Sequence, residues 1–172
     1  PRKVSPVRET KSVSSETTLD QDTGDAQKLA RLLWQLSEKV SARLKSADFA
    51  GTTVTLKLKT RDFRTRTRAR ALAAPTQLAH QIYEAAHDLL MHETDGTLFR
   101  LIGVAISHLV NGRMAEDGDL IDKRAAHAER AMDQLKKKFG NDSIVRGLSF
   151  APRGKGEAPV IQPDDSDDDF ET

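Results

Sequence analysis

Between Gly51 and Arg70 the side-chain character changes at nearly every residue, and a period of two is met by extended chain, not by helix. In "GTTVTLKLK", Val54, Leu56 and Leu58 alternate with Thr53, Thr55, Lys57 and Lys59. In "RDFRTRTRAR", Arg64, Arg66, Arg68 and Arg70 alternate with Phe63, Thr65, Thr67 and Ala69. The two runs adjoin, which predicts a hairpin. On this reading Val54, Leu56, Leu58, Phe63 and the small residues face inward, and the four arginines join Lys57 and Lys59 on one outer face. Like charges side by side repel, so such a face calls for an anionic partner. A charged edge strand that blocks aggregation is the bland alternative, but six cations exceed what edge protection requires.

The whole-chain charge hides this concentration. Lysine plus arginine number 27 and aspartate plus glutamate 26, for a net of +1. Residues 1–113 carry 18 basic and 12 acidic side chains, whereas residues 114–172 carry 9 and 14. A basic body with an acidic tail follows. The 172 residues allow one domain with extensions, and 37% hydrophobic content implies that part of the chain is disordered. With no cysteine there is neither a disulfide framework nor a thiolate zinc site. No apolar run nears the roughly 18 residues of a membrane span, so no membrane partner is expected. The chain starts at Pro1, without an initiator Met, as a fragment of a longer protein would.

Along the chain, "KSVSSETTL" alternates Val13, Ser15, Thr17 and Leu19 against Ser12, Ser14, Glu16 and Thr18, a strand with a polar outer row. "DQDTGD" supplies a turn and a helix cap. From Asp25 to about Ser46, Leu29, Leu32, Leu33, Leu36, Val40 and Leu44 follow helical spacing. The hairpin comes next. After "AAPT", with Thr76 as N-cap, Leu78, Ile82, Ala85 and Leu89 mark a second helix to about Glu93. "LFRLIGVAISHLV" reads as a last strand, Ile102, Val104 and Ile106 inward. The order β-α-β-β-α-β predicts an α+β fold, a four-stranded sheet with two helices on one face, followed by a C-terminal helix and tail.

Such a sheet has one uncovered face, and its expected contents are Ser12, Ser14, Thr18, Lys57, Lys59, Arg64, Arg66, Arg68, Arg70, Gly103, Ala105 and Ser107. Cations, hydroxyls and small residues that admit the backbone closely are the groups that contact phosphates. No aromatic is expected there, which argues for gripping a duplex by its backbone over stacking single-stranded bases.

"VRETKSVSSETTLDQD", "TVTLKLKTRDFRTRTRAR" and "RLIGVAISHL", in this order and at this spacing, resemble the little finger domain of Y-family translesion DNA polymerases, closest to bacterial DNA polymerase IV. The resemblance covers about Val7 to Val110 and continues more loosely through "RAAHAERAMDQLKKKFG". It implies a module that lies in the major groove and grips primer–template DNA without reading bases. It also implies an error-prone, DNA-directed DNA polymerase (nucleotidyltransferase) as parent, using Mg2+ on palm carboxylates. The palm motifs are not in this sequence, so the chain itself is expected to be non-catalytic, to need no cofactor, and to act as a monomer in the bacterial cytoplasm, at the nucleoid. The alternative is a non-catalytic polymerase-like accessory protein of a mutagenesis complex that uses the sheet for protein contacts.

The divisions expected are a linker from the thumb at 1–10, the little finger at 11–110, a second linker at 111–122, a C-terminal helix and extension at 123–150, and a disordered acidic tail at 151–172, which ends with six acidic residues in ten. The family implies a sliding clamp as partner through a short peptide, and "DGDLID" places Leu120 and Ile121 in that region, with Asp117 where Gln is usual and Ile121 where Phe is favoured. The same residues also read as a plain linker. In residues 123–139, Ala125, Ala128, Met132, Leu135 and Phe139 form the apolar side of an amphipathic appendage, with Lys136, Lys137 and Lys138 at its C-terminal end. His80 and His87 are too sparsely supported for a metal site, His108 and His127 read as solvent-facing, and Trp34 as partly buried at a helix margin.

Overall fold

The computed structural model describes residues 11–115 and 123–140. Its elements are β1 (Ser12–Thr23), α1 (Ala26–Ser46), β2 (Phe49–Thr60), β3 (Thr65–Thr76), α2 (Ala79–Met91), β4 (Phe99–Asn111) and α3 (Lys123–Phe139). The strands form one antiparallel sheet in the order β1-β4-β2-β3. α1 lies over β1 and β4, α2 over β3 and β2, and the two helices pack side by side on the same face. This is the expected α+β arrangement. No helix among the described residues is long and apolar enough to cross a membrane.

The core follows from the two periodicities. Leu29, Leu33, Leu36, Val40 and Leu44 of α1 meet Val54, Leu56 and Leu58 of β2 and Ile102, Val104 and Ile106 of β4, with Ile82, Ala86 and Leu90 of α2. Asp25 caps α1, its carboxylate accepting from the Gln27 and Lys28 amides at 2.9 and 3.3 Å.

Two local readings are corrected by tertiary contacts. Trp34 is fully buried, because α2 runs beside α1 and brings Tyr83 against it edge-on at 5.2 Å. Thr76 closes β3 instead of capping α2; the N-cap position is Leu78, whose amide donates to the Thr76 hydroxyl at 3.0 Å. The α2 amides are capped from α3: Glu129 accepts from Ala79 N at 2.8 Å and His80 N at 3.3 Å.

That cap sets how α3 docks. Ala126 and Glu129 are buried, Met132 and Lys136 half-buried, while Ala128, Leu135 and Phe139 are exposed. Of the expected apolar side, Ala128, Leu135 and Phe139 therefore face outward, while Met132 is half-buried. The docked side is polar because its socket is polar: Glu129 takes Lys45 Nζ at 2.8 Å and the Ser41 hydroxyl at 3.3 Å, Asp133 also pairs with Lys45, and Lys136 reaches Glu38 at 3.0 Å. Burial pushes the Glu129 pKa up, but the Lys45 charge and the hydrogen bonds from Lys45, Ala79 and His80 outweigh it and hold the carboxyl below its ordinary value.

Candidate nucleic-acid interface

The uncovered sheet face is a grid of four rows, fixed by the register of the three ladders. Across β1, β4, β2 and β3 they are Ser12, Ser107, Thr53, Ala71; Ser14, Ala105, Thr55, Ala69; Glu16, Gly103, Lys57, Thr67; and Thr18, Leu101, Lys59, Thr65. Of the residues expected here, the structure brings together Ser12, Ser14, Thr18, Lys57, Lys59, Gly103, Ala105 and Ser107. All but Gly103 are exposed or half-buried.

Arg64, Arg66, Arg68 and Arg70 are not among them. Arg66 pairs with Leu58, Arg68 with Leu56 and Arg70 with Val54, and directly opposed residues of an antiparallel pair share a face, so these three lie on the helix side. The cause is the length of the connection. Five residues, 60–64, lie between Lys59 and Thr65, an odd number, which keeps residues of like parity opposed and sets Lys57 opposite Thr67. An even number would have set the arginines beside the lysines. Arg64 itself lies in that connection, its carbonyl accepting from Thr60 N at 2.9 Å.

The displaced arginines are held by carboxylates of α2 and the segment after it. Arg66 Nη1 lies 3.1 Å from Glu93 Oε2, Arg68 Nε 2.6 Å from Glu93 Oε1, and Arg70 Nη1 2.5 Å from Asp88. The Arg66 guanidinium also sits over the Phe99 ring at 5.8 Å. Nearby, hydrogen bonds from the Thr97 hydroxyl and amide hold the Asp95 carboxyl below its ordinary pKa, with Arg66 adding to the effect.

On the open face, Lys57 and Glu16 flank Gly103 and join above it, Nζ to Oε2, at 2.8 Å. A Cβ on Gly103 would stand 2.8 Å from that of Glu16, so glycine is what lets β1 and β4 carry this pair. At the end of the face where Lys59 stands, Phe63 points outward, correcting both its inward placement and the expectation of no aromatic there. The ring lies 5.3 Å from Lys59 Nζ and 4.1 Å from the Arg100 guanidinium. Neither Phe63 nor Arg100 stands out in a strand pattern: one sits in a connection, the other at the start of a strand.

His80 lies 3.2 Å from Glu84 and His87 against the Tyr83 ring at 5.2 Å; His108 and His127 are exposed. Among the described residues no three His, Cys, Asp or Glu side chains are grouped to hold a metal. Leu120 and Ile121 fall outside the described residues.

Residues 10–120 match the impB/mucB/samB family C-terminal domain. Among curated relatives, DNA polymerase IV 1 of Mesorhizobium japonicum is 48% identical over 161 residues, 92% of this chain and 36% of that protein. DNA polymerase IV of Brucella melitensis is 48% identical over 153 residues, 87% and 34% of the two chains. The chain thus spans about a third of the length of these relatives. Among solved structures, a Y-family DNA polymerase chimera superposes with a TM-score of 0.54 at 18% identity, covering 60% of this chain and 30% of that one. An insertion ternary complex of Dbh DNA polymerase gives 0.52 at 16%, covering 58% and 29%. At such identities the likeness is one of fold.

Proposed function

The chain belongs to the impB/mucB/samB family of C-terminal domains, and on that premise we propose that it is the little finger of a translesion polymerase of the DNA polymerase IV type, holding primer–template duplex by its phosphates. The observation that carries this is the open face: hydroxyls on all four strands, small residues at its centre, and Lys57 and Lys59 on a central strand. Lysine ammonium groups and hydroxyls bind phosphate oxygens, and none of these side chains presents the paired donor–acceptor pattern that identifies a base. Nucleotidyl transfer and its Mg2+ would belong to the parent's palm; this chain's share is to keep the duplex in place. The curated relatives are named as polymerases, which does not favour the accessory-protein reading. A sliding-clamp contact through Leu120 and Ile121, a monomeric state and a place at the bacterial nucleoid are further parts of the proposal.

Fluorescence anisotropy of a labelled primer–template tests it. With the arginine row turned away, Lys57, Lys59 and the hairpin cations leave about three to four phosphate contacts, so the log–log salt slope should be about −3. Lys57→Ala with Lys59→Ala should weaken binding about tenfold and flatten the slope by nearly 2. Binding indifferent to salt, or strongly different between unrelated duplexes, would overturn the reading.

A further inference from the structure

We propose that Phe63 is a stacking site for an unpaired nucleobase, placed to take a single-stranded nucleotide next to the duplex that the sheet holds; this rests on the DNA-holding reading. Phe63 is 63% exposed, and its backbone is fixed in a hydrogen-bonded turn. Its φ of 63° lies in the left-handed region, which a bulky side chain seldom occupies, and the turn is locked: Phe63 N donates to Thr60 O at 2.9 Å, Thr60 N to Arg64 O at 2.9 Å, and Arg61 N to Leu98 O at 2.9 Å. A connection that only closed a hairpin would need no aromatic in that conformation.

The surroundings specify the ligand. The ring rests against the Arg100 guanidinium and near Lys59; in sequence the exposed Arg64 follows it, and the exposed Asp62 stands between it and the exposed Arg61. Arg61 has one carboxylate within reach, Asp22 at 4.0 Å. An exposed ring with two cations against it suits a nucleotide, the base on the ring and its phosphate on a guanidinium or ammonium, and stacking tolerates any base. Bases inside a duplex already stack on each other, so the site selects an unpaired one: a template overhang or an extruded base.

The test titrates the whole chain, by anisotropy, against a blunt duplex, the same duplex with a single-stranded 5′ overhang, and the overhang strand alone. The overhang duplex should bind more tightly than the blunt one. Phe63→Ala should abolish that difference, a loss of roughly five- to a hundredfold by the usual worth of one stacked base, with blunt-duplex binding, salt slope and melting temperature unchanged. Phe63→Trp should keep the preference and Phe63→Leu should lose it. Equal binding of blunt and overhang duplex by the unaltered chain, or a preference that survives in Phe63→Leu, overturns the stacking site while the DNA-holding reading stands. Failure to bind any of the three overturns both.

Discussion

Glu93 is where the arginine row closes: its side chain is 6% exposed, and its two oxygens take Arg66 and Arg68 separately. Replacing both arginines by alanine leaves a buried carboxylate without a counter-charge, so urea unfolding should show a loss of about 1–3 kcal/mol. Adding Glu93→Gln should restore part of it, and the salt slope for DNA should not move. The sequence reading implied the reverse, a loss of DNA binding with stability intact. That Arg66, Arg68 and Arg70 share one face was legible from their spacing. Which face was not, because it depends on whether the connection holds an odd or even number of residues, and Arg64 can be assigned to strand or turn with equal ease from composition. Gly103 gives a second case at this scale. Gly103→Val would drive a side chain into Glu16, so it should part the Glu16–Lys57 pair and cost about 1–3 kcal/mol in thermal or chemical unfolding.

Among elements, α1 was the most legible, its leucine stripe and Asp25 cap standing where the pattern puts them. Its buried face is wider than the stripe. Trp34, Ser37 and Ser41 are buried as well, because α2 and α3 cover flanks that a single helix cannot announce. α3 misled for a related reason: apolar periodicity selects Leu135 and Phe139, whereas docking is decided by a polar socket formed by other elements. Its hold on the body is predicted to depend on acid. The Glu129 pKa is lowered in the folded chain, so the folded state binds fewer protons than the unfolded one, and this contribution is complete above about pH 5 and lost as pH falls through the lowered native value. Protection of the amides across 123–139, measured against the intrinsic exchange rate at each pH, should therefore fall as pH drops through the lowered native value, and Glu129→Gln should leave that protection low and nearly independent of pH over the same range.

For the whole molecule, the β-α-β-β-α-β order and the division into a helix-covered and an open face could be read from alternation and spacing alone, since each side of each strand must match one neighbouring layer. The partition of charge between the two faces could not, and it makes the open face less basic than the arginine count suggests. Truncation after residue 120, where the family match ends, should lower the melting temperature by about 3–8 °C in a thermal scan, because it removes the cap of α2 and the partner of Lys45 together. That cap has a temporal consequence. The last strand is complete at Asn111, but the first turn of α2 is finished by a carboxylate 50 positions downstream of Ala79. At synthesis rates of about 5–20 residues per second, on the order of seconds separate the emergence of the sheet from that of Glu129. In that interval the nascent chain already has the strands that would face DNA, backed by a helix whose first amides still bond to water.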